Sequence, residues 1–163
     1  MTTIYLSLGS NIGDRAANIA RAVSALAQHG VRVTRQSSLY ETEPVDFRDQ
    51  DWFLNCVVEA QTDLEPAEIM DALLQIERSL GRHRLVPKGP RLIDIDILLF
   101  GLSVVRTPEL EIPHPRMAER RFVLVPFNEI ASDALHPFLN KTIAELLATT
   151  PDVSEVRKAV PED

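Results

Sequence analysis

Phe53-Leu54-Asn55-Cys56-Val57-Val58-Glu59-Ala60 sets Leu54, Cys56, Val58 and Ala60 against Phe53, Asn55, Val57 and Glu59. Read as a strand, it has two faces of sharply different polarity, and Phe53 and Asn55 point the same way. What surrounds this strand decides the fold. After it, Pro66 in a first turn, then Ile69, Leu73, Ile76 and Leu80 on one face, then Gly81 at the end, predict a helix. Ile93, Ile95 and Ile97 next form the apolar face of another strand. Before it, Thr3 to Leu8 is a short β-prone run closed by Gly9, Ser10, Asn11 and Gly13. From the cap residue Asp14, Ile19, Val23, Leu26 and Ala27 recur at helical spacing until Gly30 offers a stop. Val31 to Ser38 alternates as a half-exposed strand. The order is β-α-β-β-α-β, the split arrangement of ferredoxin-like sheets. The fold class is therefore α+β, an antiparallel sheet with helices on its faces and a C-terminal extension.

Residues 40 to 51 show neither period, and a structureless loop of that length in a compact domain is usually functional, which makes it a candidate lid. The last third predicts a hairpin around Gly101 to Ser103, a Pro-rich stretch from Pro108 to Pro115, and an apolar segment from Phe122 to Phe127. It closes with a helix from Thr142, where Glu145 completes a capping box before Leu146 and Leu147. No linker divides the chain, so residues 1–163 read as one domain with a core from about residue 2 to 148 and a short tail.

Composition narrows the function. The 163 residues are 45% hydrophobic and 25% charged, which excludes collagenous, coiled-coil and disordered readings. Lys+Arg 17 against Asp+Glu 24 gives a net charge of −7, a poor match for nucleic acid or an anionic membrane. The one cysteine, Cys56, falls in an apolar run and reads as a small buried hydrophobe, in keeping with a reducing cytoplasm. No stretch approaches the roughly 18 apolar residues of a membrane span, and no secretory signal opens the chain.

Two features point to chemistry. In Arg91-Leu92-Ile93-Asp94-Ile95-Asp96-Ile97-Leu98-Leu99-Phe100 the period of two puts both carboxylates on one face and the isoleucines on the other. A carboxylate in so apolar a strand must be solvated, paired or metal-bound. Alternate strand positions lie roughly 6.6 Å apart, close enough for two acids to bridge hard cations. By itself Asp-x-Asp is equally the solvent face of an edge strand. Just before it, residues 81 to 91 hold Arg82, Arg84, Lys88 and Arg91 and no acid, a local +4 that leaves −11 for the rest of a −7 chain. Guanidiniums beside metal-competent carboxylates suit a polyphosphate and its Mg²⁺, although the same pair could be Arg–Asp ion pairs that merely satisfy the strand. Pro113-His114-Pro115 holds a histidine rigidly between prolines, and Arg120 and Arg121 add a second basic cluster. No P-loop signature occurs, and the remaining histidines lack metal-ligand spacing.

Together, Gly89-Pro90-Arg91-x-x-Asp94-x-Asp96, Phe53-Leu54-Asn55, Ser10-Asn11 and Pro113-His114-Pro115-Arg116-Met117-x-x-Arg120-x-Phe122 resemble the 6-hydroxymethyl-7,8-dihydropterin pyrophosphokinases of folate biosynthesis. The resemblance runs from about residue 2 to 148 and implies a ferredoxin-like sandwich. It implies transfer of the β,γ-pyrophosphoryl group of ATP to the pterin's hydroxymethyl oxygen with release of AMP; the expected form of the protein is a cytoplasmic monomer. It further implies that Asp94 and Asp96 hold two Mg²⁺ ions and that Arg82, Arg84 and Arg91 contact phosphate. Glu77, Ile97, His114 and Arg120 would lie on the nucleotide side. Phe53 and Phe122 would sandwich the pterin, Asn55 would bond its edge, and Thr42 and Val45 would supply backbone contacts. Lys88, Glu109 and Pro115 depart from residues found in other members, which bears on ATP grip. Two other readings stay open: a noncatalytic ferredoxin-like module binding RNA or a regulatory ligand, against which the pI of 5.1 argues, and another Mg²⁺-dependent phosphoryl or nucleotidyl transferase.

Overall fold

The computed structural model describes residues 1–44, 50–81 and 92–159. The chain begins β1 (Thr2–Ser10), α1 (Arg15–Gln28), β2 (Val31–Gln36), β3 (Tyr40–Thr42), β4 (Phe53–Thr62), α2 (Pro66–Ser79), β5 (Asp94–Phe100). β1 lies between β4 and β5 and is antiparallel to both. β2 and β3 are both antiparallel to β4, Val31 facing Thr62 and Thr42 facing Phe53, so they are two successive pieces along the same side of β4. At the break, Ser37 exchanges bonds with Val57: its amide donates to Val57 O at 2.9 Å and its Oγ accepts from Val57 N at 3.0 Å. This is the ferredoxin-like order expected from the sequence.

The sheet is covered on both faces. Ile4, Leu6 and Leu8 of β1 pack with Cys56, Val58 and Ala60 of β4 against Ile19, Ala22 and Leu26 of α1 and Ile69, Leu73 and Ile76 of α2. Both helices start as their sequences direct. Asp14 Oδ1 accepts from Ala17 N at 3.1 Å, and Glu65 and Glu68 form a capping box ahead of Pro66. On the other face, Val57, Leu98 and Leu99 pack with α3 (Arg121–Ala131) and α4 (Ile143–Thr149). The register shift between Tyr5 and Leu6 leaves Leu98 without a partner on β1, so Leu98 and Leu99 both reach this second cluster. Tyr5 and Phe127 stack there with ring centroids 4.8 Å apart.

Three expectations change. No hairpin forms about Gly101 to Ser103: the chain turns there, with Ser103 N bonded to Phe100 O at 3.0 Å, and β6 (Val105–Arg106) pairs with β7 (Glu111–Ile112). β6 finds its partner in β7 instead of β5, across the Thr107–Leu110 turn, which is closed by mutual backbone bonds. The stretch 40 to 51 is not structureless at its start, because Tyr40–Thr42 adds a second length of ladder to β4; residues 45–49 lie outside the described residues. The tail past residue 148 also takes part in the sheet. After β8 (Leu135–His136), β9 (Lys141–Thr142) and the capped α4, β10 (Val156–Lys158) pairs with β3.

Candidate active site

On the α3 face of the sheet the side chains of β1, β4 and β5 form rows. α3 covers Tyr5, Val57 and Leu98 but stops short of the strand ends. There Ser7 and Gly9 of β1, Phe53 and Asn55 of β4, and Asp94 and Asp96 of β5 line a cavity of about 520 Å³, well within the range of small-molecule sites. The register explains the grouping: Gly9 faces Asn55 on one side and Asp94 on the other, and Ser7 faces Asp96. β5 is the last strand of the sheet order, and the cavity passes it to Met70, Leu73, Leu74 and Glu77 of α2.

Asp94 and Asp96 stand half-exposed while Ile93, Ile95 and Ile97 are buried, as period two requires. Ile97 also contributes to the cavity lining. Glu77, only 3% exposed, accepts from Ile95 N at 2.9 Å through Oε2. That bond pins the backbone of β5 midway between the two acids. His114 follows the cis Ile112–Pro113 peptide, and its amide donates to Leu98 O at 3.1 Å, which ties it to β5 two residues beyond Asp96. Its Nδ1 accepts from Arg116 N at 3.2 Å, so the ring proton belongs on Nε2. Burial foremost, with the Arg120 charge next, pushes the imidazole down to about 4; Asp94 opposes and Arg116 adds. The ring is neutral at pH 7. Arg120 and Phe122 flank the start of α3, with the guanidinium 5.4 Å from the Phe122 ring centroid.

Across the cavity, Asn55 Nδ2 donates to Thr42 Oγ1 at 2.6 Å in a fully buried bond. This turns Asn55 Oδ1 over Gly9, where a Cβ would collide with it and lie 3.6 Å from Phe53 Cδ2. Asn11 and Arg15 secure the end of the lid stretch. Asn11 Nδ2 donates to Gln50 Oε1 at 2.8 Å and to Asp51 O at 3.0 Å, and Arg15 donates to Trp52 O at 2.8 Å while gripping Glu41 with both terminal nitrogens.

Of the residues expected from the sequence, Thr42, Phe53, Asn55, Glu77, Asp94, Asp96, Ile97, His114, Arg120 and Phe122 all meet at this cavity, joined by Glu109 and Pro115. Val45, Arg82, Arg84, Lys88 and Arg91 lie outside the described residues. Sequence reading missed Ser7, Gly9 and Pro44, which also line it. In the sequence Gly9 reads only as the end of a strand, since its role depends on which residues it faces across the ladder. Among the described residues no three His, Cys, Asp or Glu side chains gather as a metal cage. Two half-exposed carboxylates at an open cavity suit Mg²⁺ nonetheless, because that ion keeps waters and is held by one or two carboxylates plus substrate phosphates.

Comparison with known proteins converges on one family. The model of the 7,8-dihydro-6-hydroxymethylpterin-pyrophosphokinase (HPPK) family matches residues 5–132. The 2-amino-4-hydroxy-6-hydroxymethyldihydropteridine pyrophosphokinase of Bacillus subtilis is 53% identical over 127 residues, 77% of this chain and 76% of that one. The protein of the same name from Methylorubrum extorquens is 47% identical over 149 residues, 91% and 93% of the two chains. The folic acid synthesis protein fol1 of Pneumocystis carinii is 43% identical over 86% of this chain, which spans only 19% of that longer protein. Among solved structures, HPPK-DHPS of Plasmodium falciparum superposes with a TM-score of 0.71 at 18% identity over 90% of this chain and 43% of its own, a likeness of fold.

Proposed function

The chain belongs to the 7,8-dihydro-6-hydroxymethylpterin-pyrophosphokinase family, and from that premise we propose that it transfers the β,γ-pyrophosphoryl group of ATP to the hydroxymethyl oxygen of 6-hydroxymethyl-7,8-dihydropterin, releasing AMP. The observation that carries this reading is the shared cavity, in which an acid pair and the Arg120 guanidinium meet an aromatic pair and a buried amide. One half of that set suits a metal-bound triphosphate and the other a flat heterocycle with hydrogen-bonding edges.

In this reading Asp94 and Asp96 hold two Mg²⁺ ions. When bound, such ions neutralise phosphate charge and lower the pKa of an attacking alcohol. The protein's own groups do the rest. Glu77 keeps the backbone between the two acids fixed by its bond to Ile95 N, which holds their spacing. His114, neutral and with its proton on Nε2, donates to a phosphate oxygen without adding charge, while Arg120 adds one beside it. Phe53 and Phe122 close on the two faces of the pterin. Asn55, its Nδ2 already given to Thr42, offers Oδ1 to an N–H on the pterin edge. Arg82, Arg84 and Arg91 are proposed to clamp the phosphates, and Thr42 and Val45 to meet the pterin through their backbones. Holding alcohol and phosphorus in line accounts for most of the rate such a site can supply. The acidic balance of the chain argues against nucleic acid as a partner. No described helix is long and apolar enough to cross a membrane, and we extend the proposal to a cytoplasmic monomer.

Incubation with Mg²⁺, ATP and the hydroxymethyl pterin tests this directly. AMP and pyrophosphorylated pterin should appear in equal amounts. Release of ADP, or no pterin-dependent product, refutes it.

A further inference from the structure

The segment from Asp152 to Ala159 lies beyond the region matched by the family and joins the two walls of the proposed pterin slot. At one end Asp152 Oδ2 accepts from Arg121 N at 2.7 Å, and its Oδ1 accepts from Ser154 N at 2.8 Å. Arg120, the N-cap of α3, offers no side-chain bond to the helix, so the first amide of α3 is capped from outside by Asp152. Burial disfavours the Asp152 carboxylate, yet the amides of Arg121 and Ser154, with the Ser154 hydroxyl and the Arg121 charge, hold it below the usual range.

The other end of the segment holds the opposite wall. Glu155 O accepts from Glu43 N at 3.3 Å, and Glu155 N donates to the Glu43 carboxylate at 2.7 Å. Val156 then pairs with Thr42 and Lys158 with Tyr40 in β10–β3. Ala159 N donates to Leu39 O at 2.9 Å. The Arg157 guanidinium lies 4.9 Å over the ring of Trp52, the residue before Phe53.

Near its other end α3 is already fixed. Glu129 accepts from Tyr40 Oη, from Ser38 Oγ and from Ser38 N. With that end tied to β3, and Val123 and Leu124 packed on the sheet, the bond from Arg121 N to Asp152 is what ties the start of the first turn, which carries Phe122, to the C-terminal segment. We propose that Asp152 is a positioning residue for the pyrophosphokinase reaction, setting the width of the pterin slot by locking the first turn of α3 to the strand that carries Thr42. The proposal rests on the pterin assignment of Phe122, Asn55 and Thr42 made above. It takes the C-terminal segment as part of the substrate site rather than as a trailing end.

The test compares Asp152→Ala and Asp152→Asn with the wild-type chain by steady-state kinetics in each substrate and by thermal melting. In Asp152→Ala the KM for the pterin should rise about tenfold, with kcat at saturating pterin and the KM for ATP held within about threefold. Asp152→Asn keeps one carbonyl acceptor for two amides and should fall between. A mere stabilising role would lower the melting temperature and leave the pterin KM of the folded enzyme unmoved. A pterin KM within twofold of wild type in the folded variants, or an equal rise in both KM values, overturns the proposal. Should Asp152→Ala fail to fold, the pterin KM of Asp152→Asn decides by the same criterion. A wild-type chain that releases no AMP would instead sink the reaction itself, so the two failures are separable.

Discussion

Replacing Gly9 by alanine should damage pterin binding far more than folding. Gly9 does not have a positive φ, so alanine fits the backbone, and the reduced freedom of the unfolded chain favours the variant by about 0.4–1 kcal/mol. Against this stands the new methyl. It would overlap Asn55 Oδ1, approach Asn55 Cγ to 3.4 Å and touch Phe53 Cδ2 at 3.6 Å. β1 is held on both sides by β4 and β5, so the Asn55 side chain must give way. Turning it breaks the buried 2.6 Å bond to Thr42 Oγ1, worth about 1 kcal/mol net, and overpacking adds about 1–3 kcal/mol. The balance is a net destabilisation of about 1–3 kcal/mol, or a fall of roughly 2–10 °C in Tm for a domain of this size. For the ligand the loss is larger, because the displaced amide is the group that would meet the pterin edge and the methyl occupies the slot floor. A cost of about 1.4–2.8 kcal/mol corresponds to a Kd raised ~10–100-fold. Calorimetric titration of the pterin into protein saturated with a nonhydrolysable ATP analogue, beside a thermal melt, measures both. A folded Gly9→Ala chain that binds the pterin within twofold of wild type would show that Asn55 and the space above Gly9 do not form the recognition site.

Asp96→Ala should abolish turnover, with at least a ~10³-fold loss in kcat if it helps hold the metal ions. The circular dichroism melt should stay near wild type, since the side chain is half-exposed; a near-normal rate removes the metal role. Asn55→Ala should raise the pterin KM about tenfold or more by deleting the edge contact, read in initial-rate kinetics, and an unchanged value contradicts the assignment. The Glu129 carboxyl is penalised by burial but held below the ordinary glutamate range by bonds from Tyr40 and Ser38. A depressed folded-state value means that its stabilisation is full above the unfolded pKa of about 4.3 and fades as pH falls through the folded one. The Tm gap between wild type and Glu129→Gln should therefore be widest near neutrality and narrow as pH falls past the unfolded pKa and through the folded one; a gap that grows on acidification is incompatible with this sign. In the core, Phe127→Ala should cost about 3–5 kcal/mol by urea denaturation, as Phe127 is fully buried against Tyr5, and a loss under 1 kcal/mol would mean the α3 face repacks freely.

Which elements form, and which faces they bury, is legible in the residues alone. Helical spacing in Ile69–Leu73–Ile76 and alternation in Ile93–Ile95–Ile97 are local properties, written within one or two turns of chain, and α2 and β5 appear where they predict. The caps at Asp14 and Thr142 are equally local, each bond closing over three residues. Period two also placed Asp94 with Asp96 and Phe53 with Asn55, because neighbours on one strand face need no tertiary contact to share it. Which faces meet depends instead on the packing of distant segments. Gly9 acquires its part from lying opposite Asn55 and Asp94 at once, a consequence of strand order and register between segments over forty residues apart. The hairpin expected at Gly101 does not form because β6 takes β7, across the Thr107–Leu110 turn, as its partner in place of β5. Asp152 and β10 gave no signal at all: one acid among several in a polar tail and three residues of strand carry no periodicity. Their meaning comes from the amide and the sheet edge they complete on distant parts of the chain.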